Sequence, residues 1–239
     1  MTVGEVGPAP VLALLHTAPV HVPVFESLRD DNHPGLRLRH LVDEELLRRA
    51  RAEGPDAVTD EVRAALAAAV AHGADAVLCT CSTVGAVAER QAAAVGVPVV
   101  RVDRPMARLA AAHRRIVVVA ALASTLAPTV ELIREEAGTS DPDIDTRLVD
   151  GAWELFASGD EDGFLDAVAQ AVDGVPHARV IVLAQASMAG AAERVRTGVP
   201  VLTSPRTGLA AAAAAAGCPQ VGQGETGVAV RGQPHRGNT

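Results

Sequence analysis

The segment VLALLHTAPVHVPVFESLRDD, Val11 to Asp31, lies without a gap over IVVVAALASTLAPTVELIREE, Ile116 to Glu136. The offset is 105 residues, and Pro23, Glu26 and Arg29 fall on Pro128, Glu131 and Arg134. Three further segments match in the same order. LVDEELL from Leu41 falls on LVDGAWELF from Leu148, Glu89 and Arg90 fall on Glu193 and Arg194, and GVPVV (96–100) falls on GVPVL (198–202). An ordered internal repeat of this length means that one structural unit is used twice.

Each copy alternates short apolar runs with helical stretches. The runs are Val11–Leu15, a segment ending in LVD, Ala76–Cys79 and VPVV in the first copy. The second copy has Ile116–Ala120, a segment again ending in LVD, Val180–Leu183 and VPVL. Alternation of this kind predicts an α/β fold with parallel sheets and helices on both faces. The expectation is two pseudo-symmetric lobes, each a sheet of about four strands, facing one another across a cleft. Lobe 1 spans 10–105 and lobe 2 spans 106–205. An Ala-rich helix at 206–220, closed by Gly217 with Pro219 beyond, packs on lobe 1; 1–9 and 222–239 read as flexible tails. Aromatic residues make up only 2% of the chain, so the core is built from Ala, Val and Leu, as suits parallel strands.

The same composition narrows the function. A net charge of -8 and the scarcity of aromatic side chains argue against nucleic acid as a partner. No apolar run is long enough to span a bilayer, and MTVGEVGPAP has no basic start of a secretory signal. Three cysteines make no disulfide framework and fit a reducing, cytoplasmic setting. GQGETG (222–227) has the letters of a dinucleotide motif but stands between no strand and helix; no phosphate-binding loop is present, and the CxC of Cys79 and Cys81 lacks a second ligand pair. Neither metal nor organic cofactor is expected, and self-association into a homo-oligomer is left open.

In open parallel sheets, ligands bind beyond the carboxyl ends of the strands. The first strands end in the expected loops HTAPV (16–20) and ALAST (121–125), and the third strands end in CTCSTVG (79–85) and AQASMAG (184–190). Cys81 stands where a helix begins, and a thiolate there is stabilised by free backbone N–H groups. Cys79, inside the apolar run, and Cys218, after the Ala-rich helix, read as buried structural thiols. Opposite Cys81 in the repeat is Gln185, and opposite Thr83 is Ser187. Thr17, Ser82, Thr83, Ser124, Thr125 and Ser187 are candidate donors to a bound carboxylate. His16, whose counterpart is Ala121, is a candidate acid or base, with a hydrogen-bonded wall residue as the alternative. Asp43 and Asp150 read as helix N-caps. Arg104 suits either an anion or a surface ion pair.

Two such lobes, with CST (81–83) after the third strand of the first, resemble the aspartate/glutamate/hydantoin racemase superfamily over roughly residues 10–220. The resemblance implies cofactor-independent proton transfer between two cysteines flanking a substrate carbon. Here the second thiol position is Gln185, and a neutral amide cannot exchange a proton with a carbon acid. The resemblance therefore points to a single-cysteine isomerase or racemase-type enzyme acting on a small carboxylic acid. Cys81 would be the acid, base or nucleophile, His16 a second base and Gln185 an orienting group. Arylmalonate decarboxylase and maleate isomerase are relatives, so a cysteine-dependent decarboxylase or lyase is one alternative. A non-catalytic small-acid binding protein is another.

Overall fold

A computed structural model describes residues 9–218. The chain runs β1 (Val11–His16), α1 (His21–Asn32), β2 (Arg37–Val42), α2 (Glu44–Glu53), α3 (Thr59–Ala71), β3 (Ala76–Cys79), α4 (Ser82–Arg90), α5 (Ala92–Val95) and β4 (Val99–Arg101). It continues with α6 (Arg104–Ala111), β5 (Arg115–Ala120), α7 (Ala123–Ala137), β6 (Asp143–Leu148), α8 (Ala152–Ser158), α9 (Glu161–Asp173), β7 (Val180–Leu183), β8 (Val201–Leu202) and α10 (Pro205–Ala215). Short 3₁₀ segments occupy Pro55–Val58 and Ala186–Glu193. The segments 1–8 and 219–239, which hold most of both expected tails and GQGETG, lie outside the described residues.

The strands form two four-stranded parallel sheets of identical order, β2-β1-β3-β4 and β6-β5-β7-β8. Sequence dictates position within each sheet. β1, β3 and β7 are buried at every residue, as central strands covered on both faces must be. β2 (RLRHLV) and β6 (DIDTRL) alternate exposed and partly buried residues, as edge strands do.

Side-chain parity divides each lobe's core in two. Ala13, Leu15, Val77 and Cys79 face Leu46, Leu66 and Val84 on α2, α3 and α4. Leu12, Leu14, Ala76 and Leu78 face Phe25 of α1 and Leu209, Ala212 and Ala213 of α10. The second lobe repeats this, but Met106, Ala107 and Ala110 of α6 pack on its sheet, against Ile116, Val118, Val180 and Val182. The helix following β4 thus covers the second sheet, and the helix following β8 covers the first. This reciprocal exchange interlocks the lobes. Arg104 strengthens the junction through ion pairs to Glu89 of α4 and to Glu135 and Glu136 of α7, so it is a structural cation rather than a ligand for an anion. The exchange needs close approach: a Cβ on Gly208 would lie 2.5 Å from the Val102 carbonyl oxygen and 2.6 Å from its Cγ2.

Two local expectations change. Asp43 caps α2 by accepting from the Glu45 N–H at 3.1 Å. Asp150 does not cap α8, because Gly151, at φ 76°, takes the N-cap position. ALAST is not a loop, since α7 begins at Ala123 and carries Ser124 and Thr125 in its first turn.

Candidate active site

The carboxyl ends of both sheets converge on one narrow cleft, open to solvent. Lobe 1 contributes Thr17, Ala18 and His21 after β1, and Thr80 to Thr83 after β3. Lobe 2 contributes Leu122 and Thr125 after β5, and Gln185 to Ser187 after β7. Leu47 of α2 and Trp153 and Phe156 of α8 complete the lining. The lobes are stitched together at the cleft floor, where Ser82 Oγ donates to the Ala184 carbonyl at 2.8 Å.

Cys81 is the extended N-cap residue of α4 (φ -106°, ψ 116°), and its side chain makes no capping bond. The first N–H groups of a helix have no intrahelical acceptor, so those of Ser82 and Thr83 are available to a ligand beside the thiol. Of the three cysteines, Cys81 alone is partly exposed. Cys79 is fully buried, and burial pushes its thiol up to about 12. Cys218 is buried against the α10 face of lobe 1.

The pseudo-symmetric place in lobe 2 is built differently. Gln185 precedes a 3₁₀ segment rather than an α-helix. Its Oε1 accepts from the backbone N–H groups of Ala121 (2.7 Å) and Leu122 (3.0 Å). The amide thereby occupies backbone donors at the start of α7 and fastens the β5–α7 connection to the end of β7. Its Oε1 is committed to the protein; Nε2 has no partner among the described residues.

The remaining candidates divide. Thr17, Ser82, Thr83, Thr125 and Ser187 line the cleft. Thr83 Oγ1 is buried without a partner, whereas the Ser82 hydroxyl is used by the lobe contact and the Thr125 hydroxyl donates to the Leu122 carbonyl at 2.7 Å. Ser124 does not line the cleft; its Oγ is buried without a partner. His16 does not line it either. As the last residue of β1 it shares the parity of Leu12 and Leu14, so its fully buried ring lies 5.7 Å from Phe25 of α1 and stacks on His40. Burial, with His40 and His21 nearby, lowers its pKa to about 3 and keeps it neutral.

Four cleft residues escape a reading by motif: His21, Leu47, Trp153 and Phe156. Burial lowers the His21 pKa to about 4, so it presents a neutral imidazole. Trp153 and Phe156 pack with ring centroids 5.0 Å apart, and the Arg51 guanidinium covers Trp153 at 5.6 Å. The chain's one tryptophan, directly past the end of β6 in an aromatic-poor sequence, is the signal that marks this wall. Among the described residues, no three His, Cys, Asp or Glu side chains are grouped to hold a metal ion, and no helix is long and apolar enough to cross a membrane.

The family profile for Asp/Glu/Hydantoin racemase matches residues 25–214. The chain belongs to that family. Solved structures of the fold agree. An aspartate racemase from Picrophilus torridus is 15% identical, with 88% of this chain and 96% of that one covered at a TM-score of 0.65. A glutamate racemase from Thermus thermophilus, in complex with beta-chloro-D-alanine, is 22% identical, with 90% and 84% covered at 0.60. Arylmalonate decarboxylase is 18% identical, with 90% and 94% covered at 0.55. No curated protein matches the sequence. Racemases and a decarboxylase thus share the two-lobed architecture, and membership of the family makes this chain an enzyme by kinship.

Proposed function

We propose that the protein is a cofactor-independent, single-cysteine enzyme that moves a proton at the carbon next to the carboxylate of a small acid, with isomerisation as the leading reaction. The observation that carries this is the placement of Cys81. It is the one partly exposed thiol, it stands in the interlobe cleft beside unpaired helix N–H groups, and an amide occupies the matching place in lobe 2. The Ser82 and Thr83 N–H groups, with the Thr17 and Thr83 hydroxyls, hold the carboxylate and stabilise the enediolate that forms on proton loss. Leu47, Trp153 and Phe156 favour an acid whose other substituent is apolar.

Because His16 is outside the cleft, the second acid or base falls to His21, a neutral imidazole in the same cleft. A decarboxylase is the second reading. It needs only one proton donor after CO₂ departs, and the single thiol favours it.

The test incubates the enzyme in deuterated water with 2-aryl and 2-alkyl acids and with the corresponding 2-substituted malonates. Wild type is expected to place deuterium at C2 of one class, and Cys81→Ala to lose 10²–10⁴-fold in rate, roughly the contribution of a general acid–base group. Peptide-mapped alkylation should find Cys81 faster than Cys79 and Cys218. Retention of most turnover in Cys81→Ala would end the thiol reading; loss in His21→Asn with CO₂ release unaffected would separate isomerase from decarboxylase.

A further inference from the structure

Behind Cys81 runs an unbroken chain of side-chain hydrogen bonds. Thr80, which lines the cleft next to Cys81, has its Oγ1 2.8 Å from His16 Nδ1. His16 Nε2 is 2.8 Å from His40 Nδ1, and His40 Nε2 is 3.0 Å from Glu26 Oε1. The chain starts at a threonine only 2% exposed and ends at a carboxylate 37% exposed. Four residues, from β1, β2, α1 and the segment just past β3 and separated in sequence by up to 64 positions, are aligned end to end. The bland explanation, a histidine satisfied inside a wall, needs only one partner for each nitrogen of His16. It does not require that the row open on the cleft at one end and on solvent at the other.

We propose that Thr80, His16, His40 and Glu26 form a proton wire that exchanges protons between the cleft and the protein surface. This rests on the proton-transfer reading of the Cys81 site: the thiol changes its protonation state during turnover, and the wire is a route through the protein that runs alongside the solvent-open cleft.

The wire has two complete proton arrangements. With His40 neutral, its Nε2–H donates to Glu26, its Nδ1 accepts from His16 Nε2–H, and His16 Nδ1 accepts from the Thr80 hydroxyl. With His40 cationic, its Nδ1–H donates to His16 Nε2, His16 Nδ1–H donates to Thr80 Oγ1, and the Thr80 hydroxyl donates to the Leu15 carbonyl, 3.2 Å away. One concerted shift joins the two. A proton from the cleft binds Thr80 Oγ1, the former Thr80 hydroxyl proton passes to His16 Nδ1, and the proton on His16 Nε2 passes to His40 Nδ1. One proton leaves the cleft and one appears on His40, held against the Glu26 carboxylate. The reverse shift delivers a proton. His16 stays neutral in both arrangements and changes only its tautomer, in keeping with the depression of its pKa to about 3.

The charged and titratable neighbours are few. On α1, Arg29 pairs with Glu26 and with Asp30, and the His21 ring lies 6.2 Å from that of His16. On the outer side, Arg39 and His72 share a surface hollow with His40.

The experiment is imidazole ¹⁵N spectroscopy of the full-length, ligand-free protein between pH 5 and 9. The expected result is that His16 inverts from the Nε2–H to the Nδ1–H tautomer as His40 gains its proton, without itself becoming doubly protonated. Glu26→Gln, a partly exposed change, removes the counter-charge and should lower the midpoints of both events together, by about 0.5–1 pH unit. His40→Phe should freeze His16 in one tautomer. A His16 tautomer that is constant while His40 titrates overturns the proposal. So does a doubly protonated His16, or a His40 with no protonation step in the range. The readout involves neither substrate nor Cys81, so it succeeds or fails separately from the deuterium-incorporation test.

Discussion

Gln185→Ala separates two roles that the same side chain could have. As a substrate-orienting group, Gln185 would affect turnover alone; removing one neutral hydrogen bond from the transition state would cost about 0.5–1.5 kcal/mol, roughly tenfold in rate, with stability untouched. The structure instead engages its Oε1 with two backbone donors, Ala121 N–H at 2.7 Å and Leu122 N–H at 3.0 Å. Both donor residues are buried. Truncation leaves two donors without an acceptor, at about 1–3 kcal/mol each, so the summed loss is about 2–6 kcal/mol. Water entering the vacated space would hold the loss near the lower end. At that lower end, about 2–3 kcal/mol, the corresponding fall in Tm for a chain of this size is about 4–12 °C. Gln185→Glu keeps an acceptor and should retain most of the stability, whereas Gln185→Cys forfeits both bonds and should resemble Gln185→Ala. Urea unfolding, followed by far-ultraviolet circular dichroism, measures all three. A Gln185→Ala protein within about 0.5 kcal/mol of wild type would refute the anchoring role.

Two further outcomes follow from the packing and the buried histidines. Gly208→Ala forces a methyl into the backbone carbonyl of Val102, 2.5 Å from where it would sit, and should cost about 1–3 kcal/mol as the α10–β4 contact opens; an unchanged urea midpoint would show that the lobe exchange is loosely packed. His16 and His21 have folded pKa values near 3 and 4 against 6.5 when unfolded, so below pH 6.5 the unfolded chain binds protons that the folded one does not, and stability falls as pH falls towards 4. Each histidine contributes a slope approaching about 1.4 kcal/mol per pH unit in that window. Urea midpoints at pH 7 and pH 5 check this, and equal stabilities would refute it; His21→Asn should reduce the slope.

The architecture was legible because burial and periodicity are local properties. An uninterrupted apolar run, such as AVLC or VIVL, can only be a central strand, and Arg or Asp at every other position can only be an edge. The distinction between Cys79 and Cys81 was legible for the same reason: one lies inside such a run and the other two residues past it. His16 was misplaced because β1 extends one residue further than its apolar letters suggest. That residue keeps the strand's alternation, and parity with Leu14 turns it towards α1 instead of the cleft. The reading of ALAST as a loop failed because α7 starts two residues before Thr125, so the Thr125 hydroxyl, which a loop would offer to a ligand, donates instead to the Leu122 carbonyl in the first helical turn. His21, Leu47, Trp153 and Phe156 belong to helices, and which helical face meets the opposite lobe depends on how the lobes close, something no window of sequence contains.

The repeat places different groups at matching positions of the two lobes. Both copies bring a strand end and a helix start to the same cleft, and both could offer free backbone donors to an anion. In lobe 1 the extended residue before α4 is a cysteine, which leaves the N–H groups beyond it open and adds a thiol. In lobe 2 the residue at that place is a glutamine, and its oxygen closes over backbone donors at the start of α7. The matching strand end of lobe 2 is thus tied to the protein through Gln185, whereas the thiol of Cys81 makes no such bond. In the proposed function, a carboxylate held by the Ser82 and Thr83 N–H groups sets the reacting carbon near Cys81 and turns its apolar substituent towards Leu47, Trp153 and Phe156. On the decarboxylase reading, the prochiral product formed from a 2-substituted malonate in deuterated water should carry its label on a single face, and equal labelling of both faces would place a second, equally active proton donor across from Cys81.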